Sequence, residues 1–297
     1  MPQKILQPCR ICGSPTFRKW RSSLLQPPNS RSFAITDFNF GRISALYQCG
    51  TCGFRQCHDL TDVLSFYKSQ EDPAYEDGRK QRKLQAQALL KRLGQYMRKG
   101  RLLDVGAGSG ILVEAAREEG FQARGVEPSR WLQGQAEKRG LPVRAGLLEH
   151  TKSEPGWDVI TLVDVIEHVE NPVGMLQEME KRLTGDGVGM IVTPDVKSFM
   201  ARLLGRKWWH YRVAHIGYFD ASTLELACGK AGLRVVHKSR PTWYFTVDYL
   251  WVRIMQYLPG WLRTQPCRLM RRWTVRINLR DSLLAVVQKK EGTCASR

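Results

Sequence analysis

A glycine-rich stretch between two acidic residues is the part of the sequence best suited to hold a ligand. Asp104 precedes glycines at 106, 108 and 110 in LLDVGAGSGIL, and Glu127 ends the next apolar run. The dinucleotide pattern G-x-G-x-x-G would need a glycine at position 111, where this chain has Ile111. Asp104 would repel a pyrophosphate but attract a ligand with an ammonium group. Glu127, about 20 residues past the first glycine, is placed to bind ribose hydroxyls.

Asp164, Glu167 and His168 form a second group that could carry chemistry. They follow the apolar run WDVITLV, and their i, i+3, i+4 spacing places them on one side of a helical turn. The active site of a parallel sheet lies where its strands end, so Asp164 and His168 are candidate catalytic residues. Either could take a proton from an acceptor hydroxyl. His168 could instead cap or pack the start of a helix.

The segment WWHYRVAHIGYF, at 208–219, is a third candidate. Two histidines, an arginine and several aromatic residues in a predicted loop are hard to explain as core. We predict that His215 lines the acceptor site or acts as the base, and His210 is the less favoured candidate for that role.

Two C-x-x-C-G knuckles point to a metal site. Their cysteines are Cys9, Cys12, Cys49 and Cys52. Four thiolates on two such turns can close a tetrahedral zinc site, and paired disulfides are the weaker interpretation in a reducing compartment. The strand-like pieces SFAITDFNF and RISALYQC between the knuckles fit a zinc ribbon over residues 1–60. We therefore predict a structural Zn²⁺.

The basic charge of the chain is concentrated towards its two ends. The net charge is +18, and counting by segment gives +10 for residues 1–100, −5 for 101–199 and +13 for 200–297. Basic flanks favour an anionic partner such as nucleic acid, a membrane surface or a phosphorylated acceptor, although a merely solvated surface would look the same. No apolar run approaches the roughly 18 residues of a membrane span, and the first residues lack a signal-peptide centre. We therefore expect a cytoplasmic protein.

Alternating apolar runs and helical patterns must position these residues. Strands are predicted at 102–105, 121–126, 142–146, 157–165, 188–192, 234–239 and 282–288. A connector covers 61–80, and a helix at 81–96 precedes the first strand. This alternation predicts an α/β fold over 81–297, with a doubly wound, mostly parallel seven-stranded sheet.

Four segments of the sequence, taken in order, resemble the class I S-adenosylmethionine-dependent methyltransferases. They are LLDVGAGSG, VEPS, WDVITLVDVIEHVENP and GVGMIVTPD. The resemblance covers about residues 80–240 and a last strand at 282–288, and it implies S-adenosylmethionine as the methyl donor. By this resemblance the methionine part would lie among Asp104, Gly106, Ala107, Gly108 and Gly110. The ribose would lie on Glu127, the adenine beside Gly146 and Leu147, and the methyl group near Val163 and Asp164.

The segment VDVIEHVENP also resembles the acidic-histidine segment of quinone-biosynthetic O-methyltransferases, which has been linked to a divalent metal. That resemblance implies a metal at Asp164, Glu167 and His168. A pair of zinc knuckles ahead of such a domain is similar to a bacterial subgroup of sugar, polysaccharide and natural-product pathway methyltransferases.

Residues 241–280 form an insertion rich in arginine and tryptophan. Apolar residues are helically spaced from Val247 to Leu258, and arginines accompany apolar residues from Trp261 to Ile277. We predict a helical pair. It could be a lid over the acceptor pocket, a pair docked on the sheet edge, or a peripheral contact with the inner face of the membrane.

These features together predict an S-adenosylmethionine-dependent methyltransferase. Its acceptor is expected to be an anionic small molecule or glycan precursor, lipid-linked or phosphorylated, with O-methylation favoured. The alternatives are an RNA methyltransferase, which the charge and zinc ribbon would suit, and a non-catalytic partner-binding protein that retains the fold. No recognised RNA-binding module is visible, so nucleic acid is the less favoured partner.

Overall fold

The structure, a computed structural model, describes residues 7–24, 43–60, 63–69, 71–151, 154 and 156–290. Its strands are β1 (Phe17–Arg21), β2 (Leu46–Cys49), β3 (Arg55–Cys57), β4 (Arg101–Val105), β5 (Gln122–Glu127), β6 (Val143–Ala145), β7 (Trp157–Val163), β8 (Leu183–Pro194), β9 (Gly217–Tyr218), β10 (Leu233–Ser239), β11 (Trp243–Thr246), β12 (Thr274–Ile277) and β13 (Ser282–Lys289). Its α-helices are α1 (Val63–Lys68), α2 (Pro73–Asp77), α3 (Arg79–Leu93), α4 (Ile111–Glu118), α5 (Arg130–Glu137), α6 (Pro172–Arg182), α7 (Phe199–Leu204), α8 (Ala221–Lys230) and α9 (Val247–Met255).

The larger sheet has the strand order β10-β13-β8-β7-β4-β5-β6. Strands β4 to β8 are parallel to one another, and β13 runs antiparallel between β8 and β10. The central strands are apolar and buried along most of their length because helices cover both faces. The predicted seven-stranded, mostly parallel sheet is confirmed. Its carboxyl edge collects the ends of β4, β5, β7 and β8, where the predicted site residues lie.

Helix starts on this edge are fixed by capping side chains. Ser129 accepts a hydrogen bond from the amide of Leu132 and caps α5. Asp220 and Thr223 form a reciprocal capping box at the start of α8. These caps satisfy amides that a helix leaves without an internal partner, so each helix begins at a defined point beside the site.

The smaller sheet joins segments that are far apart in the sequence. Its order is β1-β2-β3-β9, so the two residues of β9, which lie between β8 and β10 in the chain, complete the sheet of the N-terminal module. Gln56 pairs with Gly217 and Arg55 with Tyr218. The predicted strand SFAITDFNF, at 32–40, lies outside the described residues.

The insertion differs from the predicted helical pair in its second half. Its first half forms α9, as expected, but short 3-10 turns at Gly260–Leu262 and Arg268–Arg272 replace the second helix. The chain then forms β12, which pairs antiparallel with β11 from Trp243↔Ile277 to Thr246↔Thr274. The β-branched residues of TVRI favour a strand once such a partner is available. None of the described helices is long and apolar enough to cross a membrane.

Candidate active site

The turn after β4 contains three left-handed glycines. Gly106, Gly108 and Gly110 have φ angles of 71°, 54° and 77°, which residues with a Cβ seldom adopt. The bend aims the amide of Gly108 at the carboxylate of Glu127, with 2.8 Å between the nitrogen and Oε2. The glycine turn and the second acidic residue therefore lie together, at the ends of neighbouring strands β4 and β5.

Asp104 and Glu127 are both enclosed, with 4% of each residue exposed. Asp104 accepts a hydrogen bond from Thr161 Oγ1 at 2.6 Å. The second oxygen of the Glu127 carboxylate accepts from the amide of Ser129 at 2.8 Å. Burial raises the pKa of Asp104 to about 7 and the pKa of Glu127 to about 7, although these hydrogen bonds act in the opposite direction. A cationic ligand would compensate two such acids in one pocket.

Tyr75, on α2, lies over the glycine turn, and the sequence pattern does not single it out as a site residue. A Cβ built on Gly108 would be 2.8 Å from the Tyr75 hydroxyl oxygen. Arg82 stacks on the Tyr75 ring at 4.1 Å, and Arg79 donates to Ser109 Oγ at 3.0 Å. The connector therefore covers the cofactor pocket. The sequence feature that indicates a helix at Tyr75 is Pro73, because proline is favoured in the first turn of a helix.

The other predicted cofactor residues are spread along the same sheet edge. Glu127 pairs with Ala145 across β5 and β6, which brings Gly146 and Leu147 to the neighbouring turn. Val163 ends β7. Ala107 instead faces the protein, because a Cβ at Gly125 would be only 2.5 Å from the Ala107 methyl carbon. Ala107 thus holds the turn against β5 by packing.

Asp164 follows β7 with a φ of 53°, an uncommon value for a residue with a side chain. Its amide donates to the carbonyl of Val192 at 2.9 Å, which fixes the turn against β8. Asp164 is exposed to solvent. Surrounding protein atoms raise its pKa to about 6, while the charges of His210 and Arg82 act to lower it. Strained residues of this kind cluster at functional sites.

A second cluster lies deeper, behind Asp164. Glu167, His168 and His215 present ligand atoms within 4.8 Å of one another. Glu167 Oε2 accepts from Thr193 Oγ1 at 2.9 Å, whereas Oε1 of Glu167 and Nδ1 of His215 have no partner in the described part of the chain. Asp164, which the sequence groups with Glu167 and His168, is not part of this cluster. Two imidazoles and one carboxylate suit a divalent transition metal.

Both histidines of the cluster are neutral at physiological pH. His168 Nδ1 lies 2.8 Å from the carbonyl oxygen of Ala214, so we assign the proton to Nδ1 and a lone pair to Nε2. Burial lowers the pKa of His168 to about 4 and holds the pKa of His215 well below its usual range. Neutral imidazole is the form that binds a metal.

His210 is the histidine that is hydrogen-bonded to a carboxylate. Its Nε2 lies 3.1 Å from Oδ2 of Asp281, and the same oxygen accepts from Trp209 Nε1 at 2.9 Å. Asp281 is buried, which acts to raise its pKa, but the hydrogen bonds to its carboxylate and the charge of His210 together hold that pKa below its usual range. The sequence favours His215 over His210, since it cannot show that Asp281, 71 residues away, contacts His210.

The four knuckle cysteines converge as predicted. Sγ of Cys9 lies 3.5 Å from Sγ of Cys52, and Sγ of Cys12 lies 3.5 Å from Sγ of Cys49. Disulfide sulfurs are about 2.05 Å apart, so these are free thiols. Thiolates around a tetrahedral Zn²⁺ lie about 3.8 Å apart, close to the spacing seen here. The cluster fits a structural zinc ion.

The N-terminal module that carries the four cysteines, residues 7–24 and 43–60, is called the zinc module. It packs against the loop that carries His210 and His215. The amide of Cys57 and the guanidinium of Arg10 both donate to the carbonyl oxygen of Ile216, at 2.9 and 3.0 Å. The ring of Phe54 lies 4.9 Å from that of Phe219. The module therefore packs along one side of the loop that follows β8, the fifth parallel strand in chain order.

Comparisons with known proteins agree with this geometry. The chain is 29% identical over 122 residues to the ubiquinone biosynthesis O-methyltransferase of Actinobacillus pleuropneumoniae, covering 36% of this chain and 52% of that protein. It is 30% identical over 115 residues to the Vibrio cholerae protein of the same description, covering 35% and 47%. The chain spans about half the length of the curated relatives it matches.

Solved structures share the fold at low identity. A SAM-dependent methyltransferase from Archaeoglobus fulgidus superposes with a TM-score of 0.51 and 20% identity, covering 74% of this chain and all of that one. A complex of the Haloferax volcanii Trm112 methyltransferase activator with a putative methyltransferase gives 0.54 and 14%, covering 78% and 99%. A family model described as a methyltransferase domain matches residues 79–238, more than half of the chain. The chain belongs to this family and is an S-adenosylmethionine-dependent methyltransferase.

Proposed function

We propose that the protein methylates a hydroxyl group of an anionic small-molecule or glycan-precursor acceptor, with His210 as the general base. The observation that carries the proposal is the hydrogen bond between His210 Nε2 and Asp281 Oδ2 beside Asp164. An imidazole oriented by a buried carboxylate is a common way to take a proton from a hydroxyl. The curated relatives, which are described as O-methyltransferases, support transfer to oxygen.

Methyl transfer depends more on aligning the acceptor oxygen with the methyl carbon of the donor than on activating either group. S-adenosylmethionine would supply an electrophilic methyl carbon, open to in-line attack by an acceptor oxygen with S-adenosylhomocysteine as the leaving group. Asp104 and Glu127 neutralise the cationic donor, and Tyr75 covers it. Asp281 accepts the Nε2–H of His210, which leaves the Nδ1 lone pair free to receive the acceptor proton. Asp281 is thus a positioning residue, and His210 is the catalytic one.

The charge of the acceptor is inferred from an open cleft beside Asp281. This cleft has a volume of about 620 Å³, in the range of small-molecule sites. Four cationic residues line it: Arg92, Lys238, Arg240 and Arg280. Lys238 and Arg240 are paired with Glu225 and Asp195, whereas Arg92 and Arg280 have no acidic partner within the described residues. A phosphate or carboxylate on the acceptor would suit these two guanidiniums.

Glu167, His168 and His215 are the residues that would hold a divalent metal. When bound, such an ion would polarise an acceptor oxygen. The unpartnered Glu167 Oε1 and His215 Nδ1 fit this role. His215 remains an acceptor-site residue in this arrangement. Burial holds its pKa well below the usual range, which makes it a weak base and favours His210 as the base.

The test uses the full chain, methyl-labelled S-adenosylmethionine and extracts of cells that lack the protein. We expect label in a product whose methyl group resists mild alkali, as an ether does and an ester does not. His210→Ala should lower kcat by about 10²–10⁴-fold, with S-adenosylhomocysteine affinity changed by less than about threefold. His237→Ala, on β10, is the matched control. An N-methyl product, or unchanged kcat in His210→Ala, would contradict the proposal.

The same assay separates the two alternative functions. Label in purified RNA, lost at raised salt, would support an RNA methyltransferase. A chain that binds no S-adenosylmethionine would support a partner-binding protein. The buried Asp104 and Glu127 argue against a partner-binding protein, because burying two carboxylates costs folding free energy that a bound cation offsets.

A further inference from the structure

Most of the large apolar side chains that are exposed in the described part of the chain belong to two segments. Nine such side chains are exposed among the described residues, and seven of them belong to α7 or to residues 254–273. We call this set the apolar-basic surface. Its apolar members are Phe199, Leu203, Ile254, Trp261, Leu262, Leu269 and Trp273. Trp261 is 83% exposed and Trp273 is 70% exposed, so neither serves as core.

The same surface is strongly cationic. Residues 249–280 contain seven arginines and no aspartate, glutamate or lysine. Arg271 forms ion pairs with two acidic residues, Asp248 at 3.5 Å and Asp77 at 3.9 Å. Within the residues that the structure covers, Arg263, Arg268 and Arg272 have no carboxylate partner. A surface whose charges are left uncompensated favours an anionic partner.

The two segments of this surface are linked by a hydrogen bond, and the insertion is held at its base by ordered structure. The hydroxyl of Tyr257 donates to the carbonyl of Lys207 at 2.8 Å and joins the insertion to the turn after α7. The β11–β12 ladder closes the base of the insertion, and Gln81 of α3 donates to Thr274 at 3.0 Å. A lid closed over its own pocket would bury the two tryptophans, which does not match their exposure.

Its position relates it to the acceptor site. Helix α7 begins five residues after β8 ends at the carboxyl edge of the sheet. Asp281, which holds His210, follows β12 by four residues. The apolar-basic surface therefore flanks the side of the molecule from which an acceptor would reach His210.

The chemistry of the surface favours lipid over nucleic acid. Single-stranded nucleic acid binds through stacking of bases on flat aromatic rings. Four of the seven exposed apolar side chains are aliphatic: Leu203, Ile254, Leu262 and Leu269. Aliphatic and tryptophan side chains beside arginines suit the boundary between acyl chains and anionic headgroups.

We propose that the apolar-basic surface docks the protein on an anionic lipid bilayer and that the methyl acceptor is taken from that membrane. Docking is independent of the proposed function, whereas the origin of the acceptor rests on it. Tryptophans and leucines would enter the headgroup layer, and arginines would contact lipid phosphates. Stable binding needs both contributions, as neither a few apolar side chains nor charge alone is sufficient.

The test is flotation of the full chain with vesicles, without methyl donor. The vesicles contain phosphatidylcholine alone or with about 30 mol% phosphatidylglycerol, at about 50 mM salt. We expect binding to the anionic vesicles only, weakened at least tenfold in Trp261→Ala/Trp273→Ala and in Arg268→Glu/Arg272→Glu. Leu226→Ala, an exposed leucine on α8, should bind like the wild type. Tryptophan fluorescence should shift to the blue on binding.

The outcomes separate this proposal from the proposed function. Absence of wild-type binding to anionic vesicles, equal binding by the two double variants, or tighter binding to single-stranded RNA through the same residues would overturn docking. If docking holds, Trp261→Ala/Trp273→Ala should lose methyl transfer to membrane extracts but keep it for a detergent-dispersed acceptor. Equal loss in both preparations would show that the acceptor is not taken from the bilayer.

Discussion

The backbone amide of Cys57 donates a hydrogen bond to the carbonyl oxygen of Ile216 at 2.9 Å. This bond joins the zinc module to the loop between His210 and β9. The sulfur of Cys57 also lies 3.8 Å from the carbonyl oxygen of His215. The module therefore contacts the loop that carries His210 and His215, whereas Asp104 and Glu127 belong to β4 and β5.

Loss of the zinc site should uncouple donor binding from methyl transfer. In Cys12→Ser/Cys49→Ser we expect the zinc content to fall to zero and methyl transfer to fall at least 100-fold, because the loop at 208–219 loses its support. Affinity for S-adenosylhomocysteine, measured by calorimetry, should change less than about threefold. Cys267→Ser, an exposed cysteine outside the cluster, is the control. Parallel loss of donor binding would show that the module stabilises the whole domain instead.

Donor affinity should depend on pH through Asp104 and Glu127. Their pKa values of about 7 in the free protein mean that both are largely protonated at pH 5.5. A cationic donor favours the ionised forms, so its affinity should rise at least tenfold from pH 5.5 to pH 7.5, with protons released on binding. Calorimetry in buffers of different ionisation enthalpy measures both quantities. Glu127→Gln should bind more weakly and show a shallower pH dependence; an unchanged slope would contradict the assignment.

Tyr75 and Gly108 should be energetically coupled. Gly108→Ala should weaken donor binding at least tenfold, because its Cβ would approach the Tyr75 hydroxyl to 2.8 Å and its φ is positive. Tyr75→Phe alone should have less than a threefold effect. In the double variant, removal of the hydroxyl should restore part of the affinity, as a double-mutant cycle can detect. Strict additivity of the two changes would mean that the ring does not lie over the turn.

Asp164 should separate backbone strain from side-chain chemistry. Asparagine tolerates a left-handed backbone better than alanine, so Asp164→Ala should lower the free energy of unfolding by about 1 kcal/mol and Asp164→Asn by less than half of that. Both should reduce kcat, because both remove the carboxylate that follows β7 at the carboxyl edge of the sheet. Chemical denaturation and steady-state kinetics give the two quantities. Equal stability of the two variants would argue against strain at this position.

Local patterns were sufficient to predict most of the large sheet. The strands β4, β7 and β13 are mostly apolar runs, and Gly120 and Gly140 end helical patterns, so each element is specified by its own residues. The glycine turn, Asp104 and Glu127 could be placed for the same reason. They belong to adjacent parallel strands, whose carboxyl ends must meet.

What could not be predicted depends on contacts between distant residues. Strand β12 is a four-residue segment that pairs with β11, whereas the spacing of arginines and apolar residues from Trp261 to Ile277 predicts a helix. Strand β9 has two residues and no pattern of its own. The hydrogen bond of His210 to Asp281 and the packing of Tyr75 over Gly108 likewise link residues that no spacing rule connects.

The four-stranded sheet has a consequence for synthesis of the chain. Strand β3 ends at Cys57, and its neighbour β9 begins at Gly217. At about 5–20 residues per second, the ribosome needs on the order of 10–30 s to make the intervening segment. The cysteine cluster can thus load its metal on a nascent chain whose sheet still has an open edge. That edge closes only after the five parallel strands β4 to β8 have been made, so the last step of folding the first-made module is also the step that supports the loop at 208–219.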